Sequence, residues 1–115
     1  ETLVFTPTVD PFNSSAVRGD QLFQQIEAIR ASTGKAKVVV IGHSQGGLDA
    51  RVVAHDHPDA IAAVVTVATP HQGSPVADAV PKLPCPDGLA NVTANVSFAS
   101  TAVSPATLTV IVAPV

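Results

Sequence analysis

The stretch from Val38 to Gly47 constrains the fold more than any other part of the chain. It reads Val-Val-Val-Ile-Gly-His-Ser-Gln-Gly-Gly, so that an apolar run rich in β-branched residues leads directly into a Gly-x-Ser-x-Gly pentapeptide. A continuous apolar run is typical of a buried parallel strand, because both faces of such a strand are covered. A helix-compatible stretch follows, and the pentapeptide therefore lies at a sharp turn from strand to helix.

The pentapeptide predicts a serine nucleophile for acyl transfer. The turn projects the Ser44 hydroxyl above the sheet edge, and only residues without a bulky Cβ fit at the flanking positions, Gly42 and Gly46. The amide of Gln45 then lies at a helix N-terminus, where it can point at a developing oxyanion. The alternative is a close-packing or phosphate-binding glycine turn. We favour the nucleophile, because no Lys follows the glycines and their spacing fits neither a Walker A nor a Rossmann motif.

Composition narrows the functional classes. The chain has 115 residues, enough for one domain with a modest core, and 46% of them are hydrophobic although only 3% are aromatic. A formal net charge of −3 without basic clusters argues against nucleic-acid binding. No apolar run approaches the roughly 20 residues that span a bilayer, and no signal-peptide pattern opens the chain.

The chain starts at Glu1 and lacks Met, which predicts a processed piece or fragment. The single Cys85 does not indicate the redox compartment of the protein.

Alternating elements over residues 1–80 predict an α/β fold with a parallel sheet and flanking helices. The predicted elements are a strand at Leu3–Phe5, a helix over 16–33 capped by Ser14 or Ser15 and ended by Gly34, the nucleophile strand, a helix over 48–56, and a second buried strand at Ile61–Val67. Residues 81–115 predict a Pro-rich joint and a β-type tail of unknown role. Within that tail, residues 92–98 alternate with period two and Leu108–Val112 is apolar.

Several motifs together resemble a known family. They are Arg-Gly-Asp-Gln-Leu from Arg18, Gly-His-Ser-Gln-Gly-Gly from Gly42, Arg-Val-Val-Ala from Arg51, Pro58-Asp59, and Val-Ala-Thr-Pro-His-Gln-Gly-Ser from Val67. In this order they resemble the secreted bacterial triacylglycerol lipases of the Pseudomonas and Burkholderia type, which have the α/β-hydrolase fold. The resemblance covers residues 1–80, and residues beyond 80 show none.

The resemblance implies roles for some residues and places others outside this chain. Ser44 matches the family's nucleophile, and the Gln45 amide matches one half of its oxyanion hole. His43 occupies the variable position of the nucleophile elbow, the strand-to-helix turn of residues 42–46. A strand ending in His-Gly that donates the second oxyanion amide, the triad acid and histidine, the disulfide and the calcium site all fall outside the chain. The resemblance therefore implies a partial α/β-hydrolase fold, incomplete at both ends, with neither a cofactor nor a metal site in this chain.

That missing strand leaves a gap in the middle of the expected sheet. In the family's strand order it lies between the strands at Leu3–Phe5 and at Val38–Ile41. Leu108–Val112 is a candidate to fill the gap.

The remaining polar residues suggest few other roles. His71 follows a parallel strand at its carboxyl end and is the best local candidate for a base or a site-lining residue. The alternative, favoured by the resemblance, is that His71 shapes its loop by hydrogen bonding. His55 and His57 are expected to be solvated or to interact with a helix C-terminus rather than to bind a metal. Asp49 is expected to face solvent or to pair locally with Arg51 or a neighbour.

The sequence thus predicts a segment of a carboxylic ester hydrolase, most similar to a triacylglycerol lipase. The expected partner is a lipid or small ester, met at a lipid–water interface by a secreted protein, with no nucleic acid and no transmembrane segment. The alternatives are an acyltransferase or thioesterase with the same elbow, and a non-catalytic hydrolase-like module or dead fragment.

Overall fold

A computed structural model describes residues 2–11, 13–75 and 108–112. The described elements are β1 (Leu3–Phe5), α1 (Ser15–Thr33), β2 (Val38–His43), α2 (Gln45–Asp56), β3 (Ile61–Val67) and β4 (Leu108–Val112). The predicted alternating strand over residues 92–98 and Cys85 lie outside the described residues. Neither described helix combines the length and the hydrophobicity that a membrane span requires.

Helix α1 begins and ends where its capping residues predict. The Ser14 side chain accepts a hydrogen bond from the backbone N–H of Val17, and Gly34 adopts the left-handed conformation with φ 68° while its N–H bonds to the Arg30 carbonyl. A residue without Cβ takes this conformation at little cost, so the helix stops at Gly34. The predicted apolar stripe of α1 is buried: Leu22 and Ile26 have no exposed surface, and Ile29 is 9% exposed.

The four strands form one sheet in the order β1-β4-β2-β3. Strands β2 and β3 are parallel, and β4 is antiparallel to both β1 and β2. Strands β1, β2 and β3 therefore share one direction, as predicted, and β4 lies in the expected gap with the opposite direction. Its register pairs Leu108 with Gly42 and Ile111 with Val39.

The core lies between the helices and one face of the sheet. Val38 and Val40 of β2 pack there with the α1 stripe and with Ala50 and Val53 of α2. The other face is more open, since Val65 and Val67 of β3 are 47% and 48% exposed. The prediction that β3 is a second buried strand is therefore wrong, since Ile61 is the buried residue among its seven. The strand has apolar residues on both faces of the sheet, but the described helices cover only one of these faces.

Candidate active site

Ser44 lies in the tight turn between β2 and α2, with a backbone conformation that few residues other than glycine adopt. Its φ is 54° and its ψ is −126°, and its N–H donates to the carbonyl of Val67 at the end of β3. Such a conformation costs roughly 1–3 kcal/mol, and strain of this kind clusters at functional sites. The turn is as sharp as the pentapeptide predicts, because an ideal Cβ on Gly42 would lie only 2.5 Å from the Gly46 carbonyl oxygen.

The groups around this turn suit attack on a carbonyl carbon. Ser44 occupies the N-cap position of α2, yet its side chain makes no capping hydrogen bond. The first N–H groups of a helix have no acceptor within the helix, and the helix dipole makes this end electropositive. This end of α2, which begins at Gln45, therefore favours a negative charge, and the role of the Gln45 amide in an oxyanion hole stays a prediction.

A buried ion pair joins the two helices beneath the elbow. Asp49 Oδ2 lies 2.8 Å from Nε and 2.7 Å from Nη2 of Arg18, and the two side chains are 0% and 2% exposed. The prediction that Asp49 faces solvent or pairs with Arg51 is therefore wrong. Asp49 stands on the inner face of α2 beside the core residues Ala50 and Val53, and its partner comes from 31 residues away.

Burial dominates the electrostatics of this pair. Removal from water raises the pKa of the Asp49 carboxyl above its ordinary value, because burial penalises the charged form. The charge of Arg18 and its hydrogen bond to the carboxylate oppose the rise. The pair therefore stabilises the fold less than its short distances suggest, although removing one partner would leave an uncompensated buried charge.

A signal for Arg18 is present in the sequence. Arg18 precedes Leu22 by four residues and Ile26 by eight, which is the spacing of one helix face. Gly19 beside it lets α2 approach closely, since a Cβ there would lie 2.7 Å from Val52 Cγ1. A charged residue in line with an apolar stripe thus indicates a buried charge that needs a partner.

His71 is engaged at both ring nitrogens. Its Nδ1 lies 3.0 Å from Nη1 of Arg51, and its Nε2 lies 3.0 Å from the Thr66 hydroxyl. Arginine only donates, so Nδ1 accepts and the ring is the neutral tautomer with its proton on Nε2. In this arrangement neither nitrogen is free to take a proton from Ser44. The contacts favour the interpretation that His71 shapes its loop, and its place as a site-lining residue stays a prediction.

The other three histidines lie at the end of β2 and at the C-terminal end of α2. His43 is exposed at the end of β2, in register with Val67. His55 contacts Asp56 at the exposed end of α2, and the His57 ring stacks on Phe23 with 3.4 Å between ring centroids. Within residues 2–11, 13–75 and 108–112, no three His, Cys, Asp or Glu side chains are placed to hold a metal ion.

The loop after β3 contacts the first turn of α2, a feature that the sequence did not reveal. A Cβ on Gly47 would lie 2.0 Å from the Thr69 hydroxyl oxygen, so this helix residue must be glycine while Thr69 keeps its place. The preceding Ala68 has a positive φ of 50°. Ser44 and Ala68, two non-glycine residues with positive φ, thus directly follow the neighbouring parallel strands β2 and β3.

Comparison with known proteins identifies the fold and a set of relatives. The family model described as alpha/beta hydrolase fold matches residues 14–105. The triacylglycerol lipase of Pseudomonas fragi is 47% identical over 75 residues, which are 65% of this chain and 26% of that lipase. The triacylglycerol lipase of Vibrio cholerae serotype O1 is 47% identical over 77 residues, 67% of this chain and 25% of that protein. The triacylglycerol lipase of Burkholderia plantarii is 51% identical over 63 residues, 55% of this chain and 18% of that protein. The chain thus spans about a quarter or less of the length of these relatives.

Proposed function

Because the chain belongs to the alpha/beta hydrolase family, whose model matches residues 14–105, we propose that it carries the nucleophile of a carboxylic ester hydrolase resembling a triacylglycerol lipase. The observation that carries this proposal is the geometry of Ser44. A strained serine ends a buried strand, leaves its hydroxyl unused as a helix cap, and stands at the N-terminus of α2. The triacylglycerol lipases that match the chain support an ester as the substrate.

The mechanism follows from these groups. The Ser44 oxygen attacks the ester carbonyl carbon while a histidine takes its proton, and the Gln45 amide donates to the resulting oxyanion. The histidine then protonates the alcohol, which leaves, and the acyl group remains on Ser44. Water attacks this acyl-enzyme with the same histidine as base, releases the carboxylic acid and regenerates the serine. By resemblance, that histidine, its acid partner and the second oxyanion donor lie outside the motifs of this chain.

The proposal extends to where the protein acts. We infer that the whole protein is secreted and meets its lipid at a lipid–water interface. This rests on the ordered motifs shared with secreted bacterial lipases and on relatives named triacylglycerol lipase. A test is the rate of tributyrin hydrolysis on either side of the solubility limit of the substrate. A rate that rises when droplets form supports the interface, and a rate that saturates below that limit contradicts it.

The central experiment is fluorophosphonate labelling, since the probe reacts with an activated serine. The longest natural form of the protein and the 115-residue chain are each labelled as wild type, as Ser44→Ala and as Ser32→Ala. Ser32 is a matched control, because its hydroxyl bonds to the Ile29 carbonyl in α1, on a different element from the elbow. We expect labelling of the longest form to vanish in Ser44→Ala and to persist in Ser32→Ala.

Each other outcome has a defined meaning. Labelling of the short chain would mean that it assembles its own base, with His71 as the first residue to replace. Labelling without ester hydrolysis, but with acyl transfer to an alcohol or thioester turnover, would replace the hydrolase by an acyltransferase or a thioesterase. A folded longest form that neither labels nor hydrolyses esters would overturn the catalytic proposal in favour of a binding module.

A further inference from the structure

The side chain of Gln45 is buried and held at both ends of its amide group. It is 4% exposed. Its Oε1 accepts a hydrogen bond from Nη1 of Arg18 at 3.4 Å, and its Nε2 donates to the carbonyl of Asn13 at 3.5 Å. The side chain of the proposed oxyanion donor is therefore linked to Arg18 of α1 and to Asn13 in the loop before α1.

Arg18 connects this side chain to the rest of the elbow helix. Its guanidinium also holds Asp49, one helical turn after Gln45, and Nη1 lies 3.3 Å from the carbonyl oxygen of Asp10. Two positions on one face of α2 are thus joined to the loop of residues 10–13 through one rigid, planar group. The face cannot rotate about the helix axis without breaking contacts at both Gln45 and Asp49.

Preorganisation is the chemical reason for such an arrangement. An oxyanion donor accelerates the reaction only if it already points at the position that the negative charge will occupy. We propose that the Gln45 side chain, held by Arg18 and Asn13, is a positioning group that orients the backbone amide of its own residue. This inference rests on the proposed ester hydrolase function.

The lengths of these hydrogen bonds allow an effect on the orientation of the amide to be distinguished from an effect on the stability of the fold. Both hydrogen bonds of the Gln45 side chain are at the long end of the accepted range, so we expect each to contribute little to the free energy of unfolding. Gln25 provides a natural contrast on α1. Its Oε1 accepts from Thr8 N–H at 3.1 Å and its Nε2 donates to the Thr8 carbonyl at 2.7 Å. That amide is also held at both ends, by shorter bonds, away from the elbow.

The test compares Gln45→Met with Gln25→Met in the longest natural form of the protein. Methionine approximates the shape of glutamine, keeps the backbone amide and removes the side-chain hydrogen bonds. For Gln45→Met we expect kcat to fall about tenfold with KM unchanged, because the oxyanion forms only in the transition state. The urea midpoint should change little. For Gln25→Met we expect a lower urea midpoint and an unchanged kcat.

A double-mutant cycle then tests the link through Arg18. The variant Arg18→Met/Asp49→Leu removes both buried charges together, and we expect its kcat to fall about as much as that of Gln45→Met. Combining all three substitutions should cause little further loss, because they act through one network. A folded Gln45→Met variant with wild-type kcat would overturn the inference, as would equal loss of kcat in Gln25→Met. Absence of any Ser44-dependent hydrolysis in the wild type would instead overturn the proposed function, and the inference with it.

Discussion

Replacing Gly42 by alanine should disable Ser44, because the added methyl group has no room in the elbow. An ideal Cβ on Gly42 lies 2.5 Å from the backbone oxygen of Gly46 and 2.6 Å from the backbone nitrogen of Gly47. The first turn of α2 must therefore move by about 0.9 Å, the difference between 2.5 Å and the 3.4 Å at which ordinary contact begins. The obstacle is main chain, so no side-chain rotation relieves it.

Both the rate and the stability should respond to this displacement. A misplacement of about 1 Å at a reacting group costs on the order of 100-fold in rate. Overpacking at a tight contact costs about 1–3 kcal/mol of unfolding free energy. We therefore expect Gly42→Ala to lower kcat/KM for a p-nitrophenyl ester and the rate of fluorophosphonate labelling by about 100-fold. Urea unfolding of the longest natural form measures the accompanying loss of stability.

Gly34→Ala is the matched control. Gly34 has φ 68°, and a Cβ there would meet nothing within 4 Å. Its substitution therefore costs only backbone strain, roughly 1–2 kcal/mol, at the far end of α1 from the elbow. We expect this variant to lose stability and to keep the labelling rate. A Gly42→Ala protein that folds and labels as fast as wild type would refute the close-contact reasoning.

Three further predictions follow from the contacts beneath the elbow. Arg18→Met leaves the buried Asp49 unpaired and should cost about 3–5 kcal/mol in urea unfolding. Arg18→Met/Asp49→Leu should recover most of this loss, and equal destabilisation of both variants would contradict the prediction. Because burial raises the pKa of Asp49, the folded protein binds this proton more readily than the unfolded chain does. The unfolding free energy of wild type, compared with that of Asp49→Asn, should therefore increase as the pH falls from the raised pKa of folded Asp49 toward 3.8, the ordinary pKa of this carboxyl. A difference between the two proteins that does not depend on pH would contradict this prediction. Gly47→Ala should destabilise by about 1–3 kcal/mol because its Cβ meets Thr69, and adding Thr69→Ala should restore part of this. Strict additivity of the two substitutions would show that this contact is not the cause.

Local chemistry made much of the fold predictable from the sequence. Ser14 and Gly34 bound α1 because capping depends on residues within one turn of the helix end. The strained turn at Ser44 follows from the glycines on either side of it. The position of β4 between β1 and β2 was anticipated for another reason, since it required the strand order of the resembling family.

Long-range partners explain what the sequence did not reveal. Asp49 was predicted to face solvent or to pair locally with Arg51 or a neighbour, whereas Arg18 reaches it from another helix. The exposure of Val65 and Val67 depends on which elements cover the second face of the sheet. An apolar run in the sequence does not indicate which elements those are. The approach of Thr69 to Gly47 likewise depends on the path of the loop after β3.

The central position of β4 has a consequence for the order in which the sheet forms. Strand β1 pairs only with β4 among the described strands, and its Leu3 is matched with Val112, near the opposite end of the chain. During synthesis, residues 3–67 emerge before β4. The elements α1, β2, α2 and β3 can therefore assemble before β1 can pair with β4. Closing so long a loop makes this pairing a late and slow event. In a chain of these 115 residues, the edge of β2 that pairs with β4 stays unpaired until then and is open to association with other chains.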